Sequence, residues 1–310
     1  MAEHLLSAEP THSRWNHDLK PRLWVESGDV VHMACLDASG GQVKPGSTVQ
    51  DFLGIDRELI HALTGPIGMK SAEPGDVLEV KVLDVCHKGW GWTSVIRGLG
   101  FLDERFTEPY LFHWELEDDV TRSLAPAVVP VRPFCGVMGV APKEAGEFRT
   151  RPPGNFGGNM DVRDLTQGAT LYLPVLNEGA LFSAGDAHAA QGDGEVCING
   201  IECPADVSLR FKLHKQRPLL GPLVEAPDAV DDTVGKWIVV ESATDALQAA
   251  KAATSRMVDL LVARWGFSPV HGYLLCSVAM DLKMAQVVNR PMITITASIA
   301  KSVLPERKLF

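Results

Sequence analysis

The densest group of potentially reactive side chains lies in Gly185-Asp186-Ala187-His188-Ala189-Ala190-Gln191-Gly192-Asp193-Gly194-Glu195, inside an otherwise apolar stretch. In an extended strand, residues two apart share a face, so Asp186 and His188 project together while Ala187 and Ala189 face the other way. A turn at Gly192-Asp193-Gly194 folds the chain back and brings Glu195, on the returning strand, close to His188. Two carboxylates and one imidazole then converge. That mixed oxygen and nitrogen set suits zinc or a similar divalent ion, with a coordination position left for water. The plainer alternative is a surface hairpin with solvated charges. Small residues at 184, 185, 187, 189 and 190 favour a packed site, where ionised groups lacking a metal or partner are costly, and on these residues alone the two readings are evenly balanced.

A second constellation is Pro152-Pro153-Gly154-Asn155-Phe156-Gly157-Gly158-Asn159-Met160-Asp161. Its Gly, Asn and Pro residues permit backbone paths that bring amide groups close to a ligand, and Asp161 emerges from it as a third carboxylate. Asp37, at the end of the run Val30 to Leu36, could reach the same site, although an Asp in that position more often satisfies a turn. His12, Trp15 and His17 could close over a neighbouring pocket, but such residues near a terminus are more often solvated or packed. Cys135 invites a nucleophile reading, yet no nearby His or Lys pattern argues for an activated thiolate.

The elements that must position these groups are mostly strands. From about Leu23 to Leu213 short apolar runs alternate with Gly, Pro, Asp and Asn, the pattern of an all-β sandwich or barrel. The strands expected are Val30 to Leu36, Val77 to Val85, Thr170 to Leu176, Gly179 to Phe182 and Val207 to Leu213. Glu73-Pro74-Gly75-Asp76 places Pro before Gly as a type II turn requires. Helices are expected after Ser242: Ser242 to Trp265, capped by Thr244 or Ser242 and ended by Gly266, and Tyr273 to Val288. A last strand follows at Met292 to Ser298. Pro218 to Asp232 is the best linker candidate, dividing a β-sandwich catalytic region, 1–217, from a helical and strand segment, 218–310, packed on it as one compact unit.

A chain of 310 residues, 45% hydrophobic and 22% charged, can bury a large core. Its net charge of -10 and lack of basic runs disfavour nucleic acid. No stretch has the roughly 20 apolar residues of a membrane span, and the N-terminus lacks a secretory pattern, so the cytoplasm is expected. Six scattered cysteines without a CxxC pair read as buried thiols.

Several of these segments, taken together and in order, resemble a known family. They are Gly157-Gly158-Asn159-Met160-Asp161, Leu171-Tyr172-Leu173-Pro174-Val175, Gly179-Ala180-Leu181-Phe182-Ser183 and Gly185-Asp186-x-His188-Ala189-x-Gln191-Gly192-Asp193-Gly194-Glu195-Val196. This series is similar to the signature of the acetamidase/formamidase enzymes, and Thr64-Gly65-Pro66-Ile67, the Glu73 to Asp76 turn and Gly136-Val137-Met138-Gly139-Val140-Ala141-Pro142 fit it too. The resemblance runs from about His12 to Gln286. It implies hydrolysis of short amides to a carboxylate and ammonia, a jelly-roll-like β-sandwich core, a divalent metal and a homo-oligomer. Two departures bear on the substrate: His271-Gly272-Tyr273 stands where Glu-Ala-Tyr is expected, and Gly89-Trp90-Gly91-Trp92 is unusually aromatic. A larger or aromatic amide could lie against the two tryptophans.

The reading is metal-assisted amide hydrolysis on a mainly β fold with a C-terminal α/β segment. Asp161, Asp186, His188 and Glu195 hold the ion, expected to be zinc, with a second, structural ion such as calcium also entertained. Glu195 or Asp161 moves the proton. Asn159, Trp90, Trp92 and Asp37 contact the substrate. The competitors are a cysteine or serine amidase, for which no GxSxG elbow is present, and a non-enzymatic small-ligand module on the same sandwich.

Overall fold

The computed structural model describes residues 1–227 and 235–307. Fourteen strands build its two main sheets: β1 (Glu3–Leu6), β2 (Leu23–Val25), β3 (Val30–Cys35), β4 (Leu63–Met69), β5 (Val77–His87), β6 (Phe134–Gly139), β7 (Gly157–Asn159), β8 (Thr170–Pro174), β9 (Phe182–His188), β10 (Ala205–His214), β11 (Leu223–Ala226), β12 (Lys236–Ala243), β13 (Met280–Gln286) and β14 (Ile293–Ala300). The large sheet has the order β1-β3-β10-β5-β8-β11-β12-β14-β13, and the small one β7-β6-β9-β4-β2. The protein is mainly β, as the alternating pattern requires.

Period two decides which side of the large sheet each residue serves. Leu78, Val80 and Val82 of β5, with Val207, Leu209 and Phe211 of β10, face the small sheet; Phe182 of β9 meets Phe211 across that interface with ring centroids 5.3 Å apart. At the far end the opposite face takes the helices: Trp237 and Val239 of β12 and Ile295, Ala297 and Ile299 of β14 pack with Ala249, Ala253, Met257 and Leu261 of α2 (Ala246–Trp265). The only α-helix before residue 215 among the described residues, α1 (Val49–Leu53), is a single capped turn whose Phe52 is buried. The large sheet runs on across position 217, since β11 to β14 add to it. Of the linker candidate, residues 228–232 lie outside the described residues.

Three local expectations are corrected. Gly179 to Phe182 is not a strand: Gly179, Ala180 and Leu181 have φ of 76°, 59° and 59°, a tight left-handed path that only then enters β9 at Phe182. Tyr273 to Val288 is not one helix; α3 (Pro269–Ala279) ends there and β13 begins at Met280. The four-residue spacing of Leu274, Val278 and Leu282 masked the alternation of Met280, Leu282 and Met284 with Asp281 and Lys283, which is a strand period. The cap of α2 is Asp245, whose side chain accepts from Gln248 N at 2.8 Å, rather than Thr244 or Ser242; Gly266 does end the helix, at φ 74°. Among the cysteines, Cys86 is exposed and Cys197 half-buried, the other four buried, and all six are free. Among the described residues, no helix is long and apolar enough to cross a membrane.

The Glu73 to Asp76 turn forms as its residues dictate. Gly75 takes φ 96°, and Asp76 N donates to Glu73 O at 3.1 Å. The buried Asp76 carboxylate then accepts from Glu73 N, Gln216 N and Lys215 Nζ at 2.9, 2.9 and 2.8 Å. Burial would raise its pKa, but the Lys215 ammonium and the two backbone donors outweigh this and lower it. Asp76→Asn is therefore expected to cost about 1–3 kcal/mol of stability at neutral pH. A group with a depressed folded pKa stabilises above its unfolded value near 4, and that contribution is lost as the pH falls through the folded pKa. Urea denaturation at pH 7 and near pH 3 checks it; a gap between variant and parent that fails to narrow in acid would contradict the role assigned to the carboxylate.

Candidate active site

β9 runs through the middle of the small sheet and carries Asp186 and His188. Beside it, the pairs Cys135 with Ala187 and Val137 with Gly185 set Gly136 of β6 opposite Asp186. A Cβ at Gly136 would lie 2.5 Å from Asp161 Oδ1 and 3.0 Å from both Asp186 Oδ2 and His188 Cε1. Glycine at this point is what lets three functional side chains share one volume. Asp161 arrives from the Gly/Asn loop: Gly157 and Gly158 take φ 90° and 86°, and the backbone N–H groups of Met160 and Asp161 donate to Gly136 O at 3.1 and 3.2 Å.

The return to His188 is made later than the glycine turn implied. Ala189 N donates to Ile201 O and Cys203 N to Ala187 O, both at 2.8 Å, so the residue bridged to His188 is Glu202. Glu195 sits in the intervening loop, held by Glu195 N to Gly192 O at 3.1 Å and Gly194 N to Ala285 O at 3.0 Å. It still reaches the site. One ligand atom each from Asp161, Asp186 and His188 lies within 4.8 Å of the others, and the same holds for His188, Glu195 and Glu202. All five residues are buried. Asp161, Asp186 and Glu195 have φ of 51°, 55° and 48°, a left-handed conformation that costs non-glycine residues energy and collects where geometry serves function.

His188 is oriented from outside the cluster. Gln191 Nε2 donates to the carbonyls of Asp161 and Ala285 at 2.9 and 3.2 Å, which turns the amide oxygen toward His188 Nδ1, 2.8 Å away. Nδ1 must therefore carry a proton, and Nε2 is left to serve the site. Nε2 is 2.9 Å from Glu202 Oε1 and 3.7 Å from Asp186 Oδ1, without the alignment a hydrogen bond needs. Oδ1 of Asn159, Asp161 and Asp186 and Oε2 of Glu195 and Glu202 are likewise buried without a hydrogen-bond partner. Six such atoms around one point are unusual, because buried polar groups are nearly always satisfied.

Electrostatics divide the acids. Burial pushes Asp161 up to about 7, against the pull of His188. Burial, reinforced by the charge of Asp161, raises Glu195 well above the carboxylate range, and burial does the same to Glu202. Asp186 is buried too, but His61 and His188 overcome that cost and hold it below its ordinary value. His188 is disfavoured as a cation by burial, yet Glu202 and Asp186 raise its pKa well above that of a free imidazole.

The cluster opens on a cavity of about 50 Å³ lined by His61, Trp92, Asn159, Asp186, Glu195 and Glu202, with Phe52, Ile55, Ile96 and Ile198 as its apolar wall. Of the proposed substrate contacts, Asn159 and Trp92 thus border it. Trp90 and Asp37 do not. Trp90 packs in the hydrophobic cluster behind the cavity wall, with Trp92, Ile55 and Ile96, without itself bordering the cavity. Asp37 is consumed by Ser39 Oγ, Gly41 N and Trp92 Nε1, so the turn-satisfying alternative holds and its effect is to fix Trp92. His12 is spent on Arg14 O and Ser183 Oγ, while Trp15 packs edge-on against Phe156. Cys135 is buried, with its pKa raised well above a free thiol by the Cys35 thiol and by burial, the opposite of an activated nucleophile.

Glu202, His61 and Asn289 were missed. His61 Nε2 lies 3.8 Å from Asp186 Oδ2, and Asn289 Nδ2 donates to Asp161 Oδ2. Glu202 had a signal, a lone acid between Ile201 and Cys203; His61 and Asn289 had none in their local patterns.

Comparison with known proteins bears on the family and the fold. The model of the acetamidase/formamidase family matches residues 2–146 and 144–305. The fold is similar to a crystal structure described as a predicted acetamidase/formamidase from Thermoanaerobacter tengcongensis, with TM-score 0.90 and 29% identity over 98% of this chain and 97% of that one. It is also similar to the acetamidase from Bacillus halodurans, with TM-score 0.88 and 32% identity over 96% and 98% of the two chains. The formamidase of Methylophilus methylotrophus is 29% identical, covering 75% of this chain and 73% of its own length. This chain belongs to the acetamidase/formamidase family.

Proposed function

We propose that the protein hydrolyses a short linear amide to a carboxylate and ammonia at a divalent metal centre held by Asp161, Asp186, His188 and Glu202, with Glu195 beside it for proton transfer. The observation that carries this reading is the set of buried, unpartnered lone-pair atoms converging on a small cavity. Their chemistry fits a divalent ion: one imidazole and several carboxylates are a donor set for zinc or a close relative, and a cation would remove the cost of burying them together. When bound, such an ion supplies Lewis acidity toward the amide carbonyl and toward water.

The chain's own groups do the rest. Asn159 Oδ1, buried and free, accepts an N–H of the amide and orients it. Gln191 keeps His188 in one tautomer, and Asn289 holds one oxygen of Asp161 so that the other faces inward. Glu195, at the mouth of the cavity, carries the proton to the departing nitrogen. A cavity of about 50 Å³ has room for roughly three to five water-sized spheres, which matches formamide or acetamide and not an aromatic amide.

Treatment with a chelator should stop ammonia release from formamide or acetamide, and zinc or another divalent ion should restore it. Propionamide and benzamide should be turned over at least about tenfold more slowly, since an unfilled or overfilled pocket changes transition-state binding by 1–3 kcal/mol. Turnover that survives complete ion removal rejects the metal, and silence toward every short amide rejects the amide reading.

A further inference from the structure

The inner cavity carries two guanidinium groups that the amidase reading leaves unused. Arg57 and Arg151 line it together with Asp186 and Glu195. Arg57 is exposed and Arg151 half-buried, whereas both acids are buried, so the arginines stand at the solvent end of the cavity and the acids line its interior. Glu195 also faces a wider cleft that neither arginine borders, which makes theirs a separate end. Among the described residues neither guanidinium makes a hydrogen bond or an ion pair. The backbone holds both in place. Arg57 opens a single turn, Arg57–Leu59, capped by Asp56. Arg151 follows Thr150, whose buried hydroxyl donates to Ile60 O at 3.2 Å and accepts from His61 N at 2.9 Å, tying the two segments together beside the cavity.

This rim is positive in a chain whose net charge is -10. Arg14 and Arg149 both pair with Glu58, and the Asp56 carboxylate accepts from Glu58 N at 2.9 Å. Four arginines therefore gather around two acids that are already engaged. Burial lowers the pKa of Arg151, and the charges of Arg57 and Arg149 lower it further, while Glu195 and Asp186 raise it. Two cations that repel each other across an open volume are a receptor for an anion, and a guanidinium fork gains most from a planar group with two oxygens.

We infer that Arg57 and Arg151 form a carboxylate-binding subsite at the outer end of the cavity. A carboxylate fits the fork with a single charge; a phosphate would bring a second charge and more bulk toward Asp186 and Glu195. Two sources supply such a group. One is the substrate itself: the acetamide part of malonamate fills the inner volume of about 50 Å³ beside Ile55 and Ile96, and its carboxylate reaches out to the arginines. Water then replaces the amide nitrogen as it does in acetamide, leaving malonate and ammonia. The other source is the carboxylate that hydrolysis of any short amide releases, held on its way out. The identity of these sources rests on the proposed amide hydrolysis; the affinity for a carboxylate does not.

Calorimetric titration of the full chain with acetate should show binding that weakens about tenfold or more in Arg151→Gln and in Arg57→Glu, and that weakens in the parent as salt rises from about 20 to 300 mM. Arg57 is exposed, so its variant tests the subsite even where Arg151→Gln fails to fold. Arg151→Lys keeps the charge but loses the fork, and should bind with intermediate affinity. Turnover separates the two sources. A kcat/KM for malonamate at least about tenfold above that for acetamide, with the ratio collapsing in both variants, assigns the subsite to the substrate. A parent ratio near one or below, with arginine-dependent acetate binding, assigns it to the released product. Arginine-dependent acetate binding without turnover of any amide keeps the subsite and removes the amide reading. Acetate affinity and substrate ratio that both ignore all three substitutions overturn the subsite, whether or not acetamide is hydrolysed.

Discussion

A His188→Ala variant is expected to lose its divalent ion together with at least about a thousandfold of kcat/KM, close to 4 kcal/mol of transition-state stabilisation. No other side chain belongs to both convergent groups: His188 Nε2 serves Asp161 and Asp186 on one side and Glu195 and Glu202 on the other. It is also the one nitrogen donor in either group, and its ring is held by the Gln191 bridge and by the edge of Phe134, with ring centroids 5.2 Å apart. Alanine removes the imidazole and leaves four buried carboxyl groups facing a void. Without a cation beside them they take up protons rather than ionise against one another, so the fold survives while the site loses its affinity for metal. Metal content by mass spectrometry, near-ultraviolet circular dichroism and ammonia release separate these effects. A folded variant with a full complement of ion and turnover within tenfold of the parent would remove His188 from the centre.

How much of this was legible in the sequence depends on whether a residue's neighbours in space are also its neighbours in the chain. Strand alternation in Val77 to Val85 and Val207 to Leu213 is a local property, and both appear as strands packed side by side in the large sheet. Asp186 and His188 could be joined because they stand two positions apart on one strand. Asp161 could be added because glycines at 157 and 158 announce an unusual backbone path. The turn at Gly192 to Gly194 misled in detail: the chain needs the whole stretch to Gly200 before it pairs again, and Gly200 is required there because a Cβ would come within 3.1 Å of the His188 ring. Glu202, His61 and Asn289 enter from β-bridges, a preceding loop and the far side of β13, and no period in the sequence encodes those meetings. Trp90 and Trp92 show the converse. Two apart on one strand, they share a face and a hydrophobic cluster, yet only Trp92, whose indole N–H donates to Asp37, borders the cavity.

Glu195→Gln is expected to reduce turnover by about 100- to 10,000-fold while leaving the ion bound and the fold intact, the range typical of a lost general acid or base. The argument is positional. Glu195 borders the inner cavity of about 50 Å³ and also a wider cleft of about 510 Å³ lined by Trp114, Val129 and Ile201, so its carboxyl stands at the passage between the reacting volume and the outside. Its Oε2 is buried and unpartnered, and its backbone is fixed at φ 48° by the Gly192 and Ala285 contacts, which leaves the carboxyl little freedom to swing away. Asp161, by contrast, has one oxygen committed to Asn289, and Asp186 faces His61 and His188 at once. Glutamine keeps the shape and the hydrogen-bonding reach of Glu195 but can neither give up nor take back a proton at that position. Binding should therefore persist where proton transfer fails. The KM for acetamide should move by less than about threefold while kcat falls, the signature of an interaction made only in the transition state. Loss of the ion along with turnover would instead make Glu195 a ligand and return the proton-transfer role to Asp161, whose unpartnered Oδ1 lies with Asp186 and His188 in the same cluster.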